Sequence, residues 1–417
     1  METVGIVTEY NPFHNGHLYH LNKAKEKTGC KYVVSVMSGN FVQRGEPAIL
    51  DKWTRAKMAI DNGVDLVFEI PSIYSCQSAE FYAEGSIKLL DGLGFIDSLC
   101  FGSECGSIHP LNTISNLLIK EPPAFKDSLK YYLNKGLPFP KARSHALTKY
   151  LSKYNLEYDI DSILSNPNNI LGIEYLKTLN SIKGNIRPFT IKRIGAHYNS
   201  TELDKNISSA TAIRKEILHS YDLQNISGFI PNNCYLYIKD FLKKYNNVNS
   251  LENYTKIILY LLSTRHNQFL SEIMDIDEGL DNRIIKYLKN YSSIIDFLDN
   301  IKTKRYTFTR LQRILIHLLL GIDQYTFKEL HKKGPQYLRL LGASKNGLYL
   351  LSKNKNSCKL PIITKFADYK KHSSLHLEKM ISFDIEATNV YFLGLNSNQY
   401  KNNLDFFVSP YIKKECD

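Results

Sequence analysis

The chain has 417 residues, 43% apolar and 23% charged, which is ordinary globular composition with material for two or three domains. Its net charge of +12 points to a polyanionic partner, and no apolar run approaches the length that spans a membrane. Seven scattered cysteines with no Cys-x-x-Cys fit reduced thiols, not a disulfide framework.

The first predicted element is a buried strand, Val4–Thr8. No basic start with a longer apolar stretch precedes it, so a cytoplasmic protein is expected. Tyr10-Asn11-Pro12-Phe13-His14-Asn15-Gly16-His17 follows, leading into a helix over Asn15–Gly29 with Leu18, Leu21 and Ala24 on one face. The free N–H groups of that helix start face any anion above the sheet edge. His14 and His17 share a helical face, and Gly16 lets a ligand approach the backbone. This pattern builds a phosphate cradle. His14, His17 and His20 also recur at a spacing that could hold zinc, but no Cys pair or acidic ligand stands nearby, so no metal site is expected.

Strands are predicted next at Tyr32–Met37, Leu66–Ile70 and Ser98–Phe101, with helices at Asp51–Asn62 and Ala79–Leu93. Nearly all-apolar strands separated by helices imply a parallel sheet covered on both faces, with its ligand beyond the carboxyl ends of the strands. Residues 109–182 read as helical, with a turn at Asn166-Pro167-Asn168-Asn169 before a helix over Ile170–Leu179. A further strand is expected at Arg187–Ile194. Ile207-Ser208-Ser209-Ala210-Thr211-Ala212-Ile213-Arg214 then reads as a serine-capped helix whose hydroxyls, N–H groups and guanidinium suit phosphate.

From about residue 216 the alternation stops. Residues 235–320 read as helices, and 334–417 as mixed, with short strands near Leu348–Leu351 and Val390–Phe392. The expected division is a nucleotide-binding part over 1–215 and a mainly helical, basic part over 216–417. Residues 302–371 alone carry 16 basic and 3 acidic residues, so the excess charge is concentrated there.

The histidine and serine motifs together resemble the nucleotidyltransferase superfamily related to class I aminoacyl-tRNA synthetases. The longer blocks are closer to one family. Gly5 through His17, Met37 through Pro47 and Asn168 through Tyr175 resemble the tRNA(Met) cytidine acetate ligase family over essentially the full chain. The resemblance implies a HIGH-type α/β fold: a Rossmann-like parallel sheet followed by a mainly helical basic region with a small mixed α/β C-terminal part. The closing motif departs from the superfamily in having Ser-Ala-Thr where a hydroxyl–Gly or hydroxyl–Thr pair is common.

That resemblance implies a two-step reaction. Acetate and ATP give acetyl-adenylate and pyrophosphate; the acetyl group then passes to N4 of the wobble cytidine of elongator tRNA(Met). It implies ATP contacts from Val7, Thr8, Glu9, Tyr10, Asn11, Pro12, Phe13, His14, Asn15, Gly16, His17, Leu18, Tyr19 and His20, and from Gly102, Asn169 and Arg193. Acetate is already ionised at pH 7, so the site must supply alignment and charge stabilisation, not a base. His14 and His17 are read as donors to phosphate in the transition state. Ser208, Ser209, Thr211 and Arg214 are read as holding the leaving phosphates, and Asn169 as reading adenine. Mg²⁺ would arrive with ATP, and no tightly bound cofactor is expected. Lys302, Lys304, Arg305, Arg310, Arg313, Lys332, Lys333 and Arg339 are the candidate tRNA contacts. No membrane and no obligate protein partner is expected. The alternatives are adenylylation of a small phosphorylated metabolite and non-catalytic RNA binding.

Overall fold

The computed structural model of the protein describes residues 2–156, 158–182, 184–193, 208–220, 223–264, 267–277, 279–288, 293–372, 374–395 and 402–414. Ten strands are formed among them: β1 (Thr3–Thr8), β2 (Tyr32–Ser38), β3 (Phe41–Val42), β4 (Glu46–Pro47), β5 (Leu66–Ile70), β6 (Ser98–Ser103), β7 (Arg187–Lys192), β8 (Leu338–Ala343), β9 (Ile362–Ile363) and β10 (Tyr411–Ile412). The main sheet runs in the order β10-β8-β5-β2-β1-β6-β7, with β9 beside β8.

The first three alternating strands lie where the apolar runs place them. β2 and β5 are buried at every residue, as strands covered on both faces must be. The five strands β5-β2-β1-β6-β7 are mutually parallel. Between β1 and β6 the strand order reverses direction. The crevice at such a reversal, above the carboxyl ends of the strands, is where a parallel sheet offers backbone groups to a ligand. The helix Asn15–Thr28 ends at Gly29, whose left-handed φ of 67° closes it.

Three expectations change. Pro167, Asn168 and Asn169 are not a turn but the first turn of a longer helix, Pro167–Ile182. Proline is compatible with a helix start because its missing N–H would have no partner there. This helix packs closely: a Cβ on Gly172 would come within 2.5 Å of Phe101 of β6. The strand candidates Leu348–Leu351 and Val390–Phe392 both lie in helices, Lys345–Asn354 and Leu375–Leu393. Short apolar runs do not discriminate the two states, and Ser344 and Ser374 cap these helices through Gly347 N and Leu377 N.

The C-terminal part instead supplies β8, β9 and β10, of which β8 is the longest and is buried throughout. β8 pairs antiparallel with β5, so residues from the basic half complete the sheet of the first half. Arg187–Lys192 forms β7, while Ile194 of the expected strand lies outside the described residues, as does Ile207. No helix among the described residues is long and apolar enough to cross a membrane.

Candidate active site

The carboxyl ends of β1 and β6 form the floor of an open cleft. Arg55, fully buried in the helix Lys52–Asp61, donates to the carbonyls of Glu9, Ser38, Gly39 and Leu50. One guanidinium thereby ties the ends of β1 and β2 and satisfies backbone groups that leave the sheet there. Beyond β1 the chain turns sharply: Tyr10 holds a left-handed φ of 49° and the Asn11–Pro12 peptide is cis. A tyrosine in that region is strained, and such strain is tolerated where packing holds it. Here the Tyr10 ring packs on Phe13 at 4.8 Å and on His17 at 5.0 Å between centroids.

His14 is the N-cap of the following helix, not its first turn. Its Nδ1 accepts from Gly16 N at 3.0 Å, and His17 Nδ1 accepts from His14 N at 3.3 Å. A backbone N–H can only donate, so both Nδ1 atoms are unprotonated and each neutral ring carries its proton on Nε2. Burial, with Arg193 and Arg214 nearby, pushes His14 down to about 3. Burial and the neighbouring His14 hold His17 well below the usual imidazole range. Burial and Arg193 place His20 at about 4. All three are neutral at pH 7. The His14 and His17 rings lie 3.8 Å apart and both line the cleft, so each offers it one Nε2–H.

The opposite wall is the start of the helix Ala210–Ser220. Ser209 Oγ accepts from Ala212 N as an N-cap, and the Ser208 hydroxyl is buried without a partner among the described residues. Arg214 donates to Asn11 O at 3.0 Å and pairs with Glu46 at 2.9 Å. The two motifs, about 200 residues apart in sequence, are therefore joined by Arg214. Glu9 Oε1 accepts from Gln43 N, while burial raises its carboxyl above the usual range.

Of the residues expected here, Val7, Thr8, Glu9, Tyr10, Asn11, His14, Gly16, His17, Tyr19, His20, Gly102, Arg193, Ser208, Ser209, Thr211 and Arg214 line the cleft. Pro12, Phe13, Asn15, Leu18 and Asn169 do not. Phe13 is core, and Asn15 ties the helix start to Gly228 and Phe229. Asn169 Oδ1 accepts from the N–H groups of Glu104 and Cys105, so its acceptor holds the loop after β6. Sequence reasoning missed Gln43, Arg44, Glu46, Tyr82, Asn168, Leu171, Tyr175 and Lys192 as cleft residues. The Met37–Pro47 and Asn168–Tyr175 blocks carried that signal for all but Tyr82 and Lys192. No group of three or more His, Cys, Asp or Glu side chains among the described residues converges as a metal site.

The basic candidates separate. Lys302, Lys304, Arg305, Lys332 and Lys333 are exposed. Arg310 pairs with Asp277 and donates to Asp275 O, and Arg313 pairs with Asp275. Arg339 is not a surface residue. It sits in β8, pairing with Glu69 at 2.9 Å and Asp405 at 2.6 Å, 3% exposed. Its expected role as a tRNA contact is withdrawn, because its charge neutralises two buried carboxylates.

A parallel sheet with histidine and serine helix starts converging above its reversal point defines a nucleotide-binding transferase. A family model described as HIGH Nucleotidyl Transferase matches residues 1–405. The chain is 47% identical to the tRNA(Met) cytidine acetate ligase of Caldanaerobacter subterraneus subsp. tengcongensis, covering 99% of this chain and all of that one. It is 44% identical to the enzyme of the same name from Clostridium perfringens strain ATCC 13124, covering 99% and 100%. The crystal structure of Thermotoga maritima TmcAL in an apo form superposes with a TM-score of 0.94 at 34% identity, and a form bound with alpha-thio ATP with 0.92, each covering 99% of both chains. The chain belongs to the tRNA(Met) cytidine acetate ligase family of HIGH nucleotidyl transferases.

Proposed function

We propose that this protein activates acetate with ATP and transfers the acetyl group to N4 of the wobble cytidine of elongator tRNA(Met). The observation that carries the first step is the pair of Nε2–H donors on His14 and His17, fixed by backbone bonds to both Nδ1 atoms. An acetate oxygen attacks the α-phosphorus, forming a C–O–P link as the bond to pyrophosphate breaks. Negative charge grows on the phosphate oxygens, and preorganised neutral donors stabilise it without first shedding a proton. Ser208, Ser209, Thr211 and Arg214 receive the leaving phosphates at the second helix start. Arg214 is already oriented by Asn11 O and Glu46, so little reorganisation is needed.

Val7 and Gly102 offer backbone at the strand ends for the nucleoside. Asn169 acts indirectly: it is buried outside the cleft lining and holds the loop after β6 in place. Mg²⁺ would arrive with the ATP phosphates and would supply charge neutralisation there, since no group of three or more His, Cys, Asp or Glu side chains converges among the described residues. In the second step N4 attacks the acetyl carbon, the bond to AMP breaks, and the N4 proton is lost. The base must leave its stack to reach the cleft.

The test is mass analysis of tRNA(Met) incubated with the protein, ATP and acetate. A gain of one acetyl group on the wobble cytidine is expected. Exchange of labelled pyrophosphate into ATP with a phosphorylated metabolite, and none with acetate, would replace this reading.

A further inference from the structure

Between β6 and β7 the chain builds an all-helical insertion whose return helix, Pro167–Ile182, lines the cleft through Asn168, Leu171 and Tyr175. It includes a hairpin of two helices, Pro123–Asn134 and Phe139–Ser152, packed on each other. The inner face is apolar: Phe125, Ala146, Leu147 and Leu151 are buried. The outer face is of a different kind. Residues 120–154 carry eight basic and two acidic residues. Lys130, Lys135, Lys141, Lys149 and Lys153 are exposed, and among the described residues only Lys126 of this group is in an ion pair with a carboxylate.

Large aromatic rings stand out among these cations. Tyr131 is 48% exposed, Phe139 54% and Tyr154 62%. Lys135, the residue that caps the end of the first helix, and Lys149 on the second reach the Tyr131 ring at 4.6 and 5.5 Å from its centroid. Arg143 lies over Phe139 at 5.8 Å. Apolar rings held open to water cost free energy unless a partner covers them. The partner that fits rings and lysines mostly without carboxylate partners is a single-stranded nucleic acid, whose bases stack while its phosphates meet the cations. A protein partner would be expected to bring carboxylates and aliphatic groups, with less use for open rings ringed by lysine.

We infer that the 123–152 hairpin is a docking surface for the unpaired loop of the tRNA substrate, its bases stacking on Tyr131 and Phe139 and its phosphates meeting Lys130, Lys135 and Lys149. The inference rests on the proposed tRNA acetylation and adds the place where the loop is held. No residue of the hairpin lines the cleft, so adenylate formation is independent of it.

Two variants separate charge from stacking. Reversal at three sites, Lys130→Glu, Lys135→Glu and Lys149→Glu, lowers the slope of log affinity against log salt by about 2, at about 0.7 per phosphate contact on a single strand. Tyr131→Ala with Phe139→Ala weakens tRNA binding about tenfold or more and leaves that slope unchanged. Both keep wild-type acetate-dependent pyrophosphate exchange, which also reports that they fold. Wild-type tRNA affinity and slope in both variants would overturn the hairpin assignment. So would a concentration-dependent dimer of the wild type that Phe139→Ala dissociates while tRNA binding stays unchanged. Failure of the wild-type protein to acetylate any tRNA would refute the underlying function instead.

Discussion

Two stretches of this molecule carry nearly the same charge and use it differently. Residues 120–154 hold eight basic and two acidic residues; residues 302–339 hold nine and two. In the second stretch Arg310, Arg313 and Arg339 are tied to carboxylates, and the Tyr306 ring is buried at 7% exposure under Arg310 and Arg305. In the first, Lys126 alone pairs with a carboxylate among the described residues, and the other lysines stand beside rings open to solvent. Net charge therefore counts cations without distinguishing those that hold the fold from those that can meet a ligand. Arginine suits the first duty, because its planar fork can serve two partners at once, and Arg339 does so with Glu69 and Asp405.

The contrast can be broken at several points. Arg339→Met leaves Glu69 and Asp405 with Lys52 as their remaining ion-pair partner among the described residues, so urea denaturation should show a loss of about 3–5 kcal/mol. Lys332→Glu, at an exposed site a few residues earlier, should stay within about 0.5 kcal/mol. Equal effects would mean that Arg339 is not the buried tie described here.

His14→Ala or His17→Ala each removes one Nε2–H donor. Acetate-dependent pyrophosphate exchange should fall by about 10²–10³, while tRNA affinity stays at the wild-type value. A parallel loss of tRNA binding would shift these rings from adenylate chemistry to acceptor binding.

Arg310→Ala loses an ion pair and its bonds to Asp275 O at a site 23% exposed. A stability loss of about 1–2 kcal/mol is expected, with tRNA affinity within twofold of wild type. Reversal of exposed Lys302, Lys304 and Arg305 together should lower the salt slope of tRNA binding less than reversal in the hairpin does. The opposite order would make 302–305 the main tRNA surface.

The smallest effect concerns pH. Burial lowers His14 to about 3 and His20 to about 4, so both stay neutral as pH rises from about 5 to 8. Charge appears only as pH falls through those values. The profile of kcat/KM for exchange should show no inflection near pH 6.5; an imidazole-like inflection there would contradict neutral donors.

Much of the site was readable because its determinants are local. The strand, the Tyr10–His17 block, and the serine cap before Arg214 each act within a few residues, through helix starts whose N–H groups have no other use. The Asn168–Tyr175 block was visible too, but its first residues looked like a turn. Only the packing of Gly172 against Phe101 makes that block a wall of the cleft. Asn169 looked available to adenine until the Glu104 loop was seen to occupy its oxygen. Arg55 gave no signal at all, because its four carbonyl partners come from three separate segments.

By itself the sequence determined the alternating sheet, the family, and the two helix starts that line the cleft. Hydrophobic period and capping are short-range and survive without coordinates. The tertiary structure alone decided that β8 of the basic half closes onto β5, that Arg339 is buried there, and which cations stay exposed. Those outcomes depend on which distant carboxylate each cation meets, and that pairing exists only once the chain has packed.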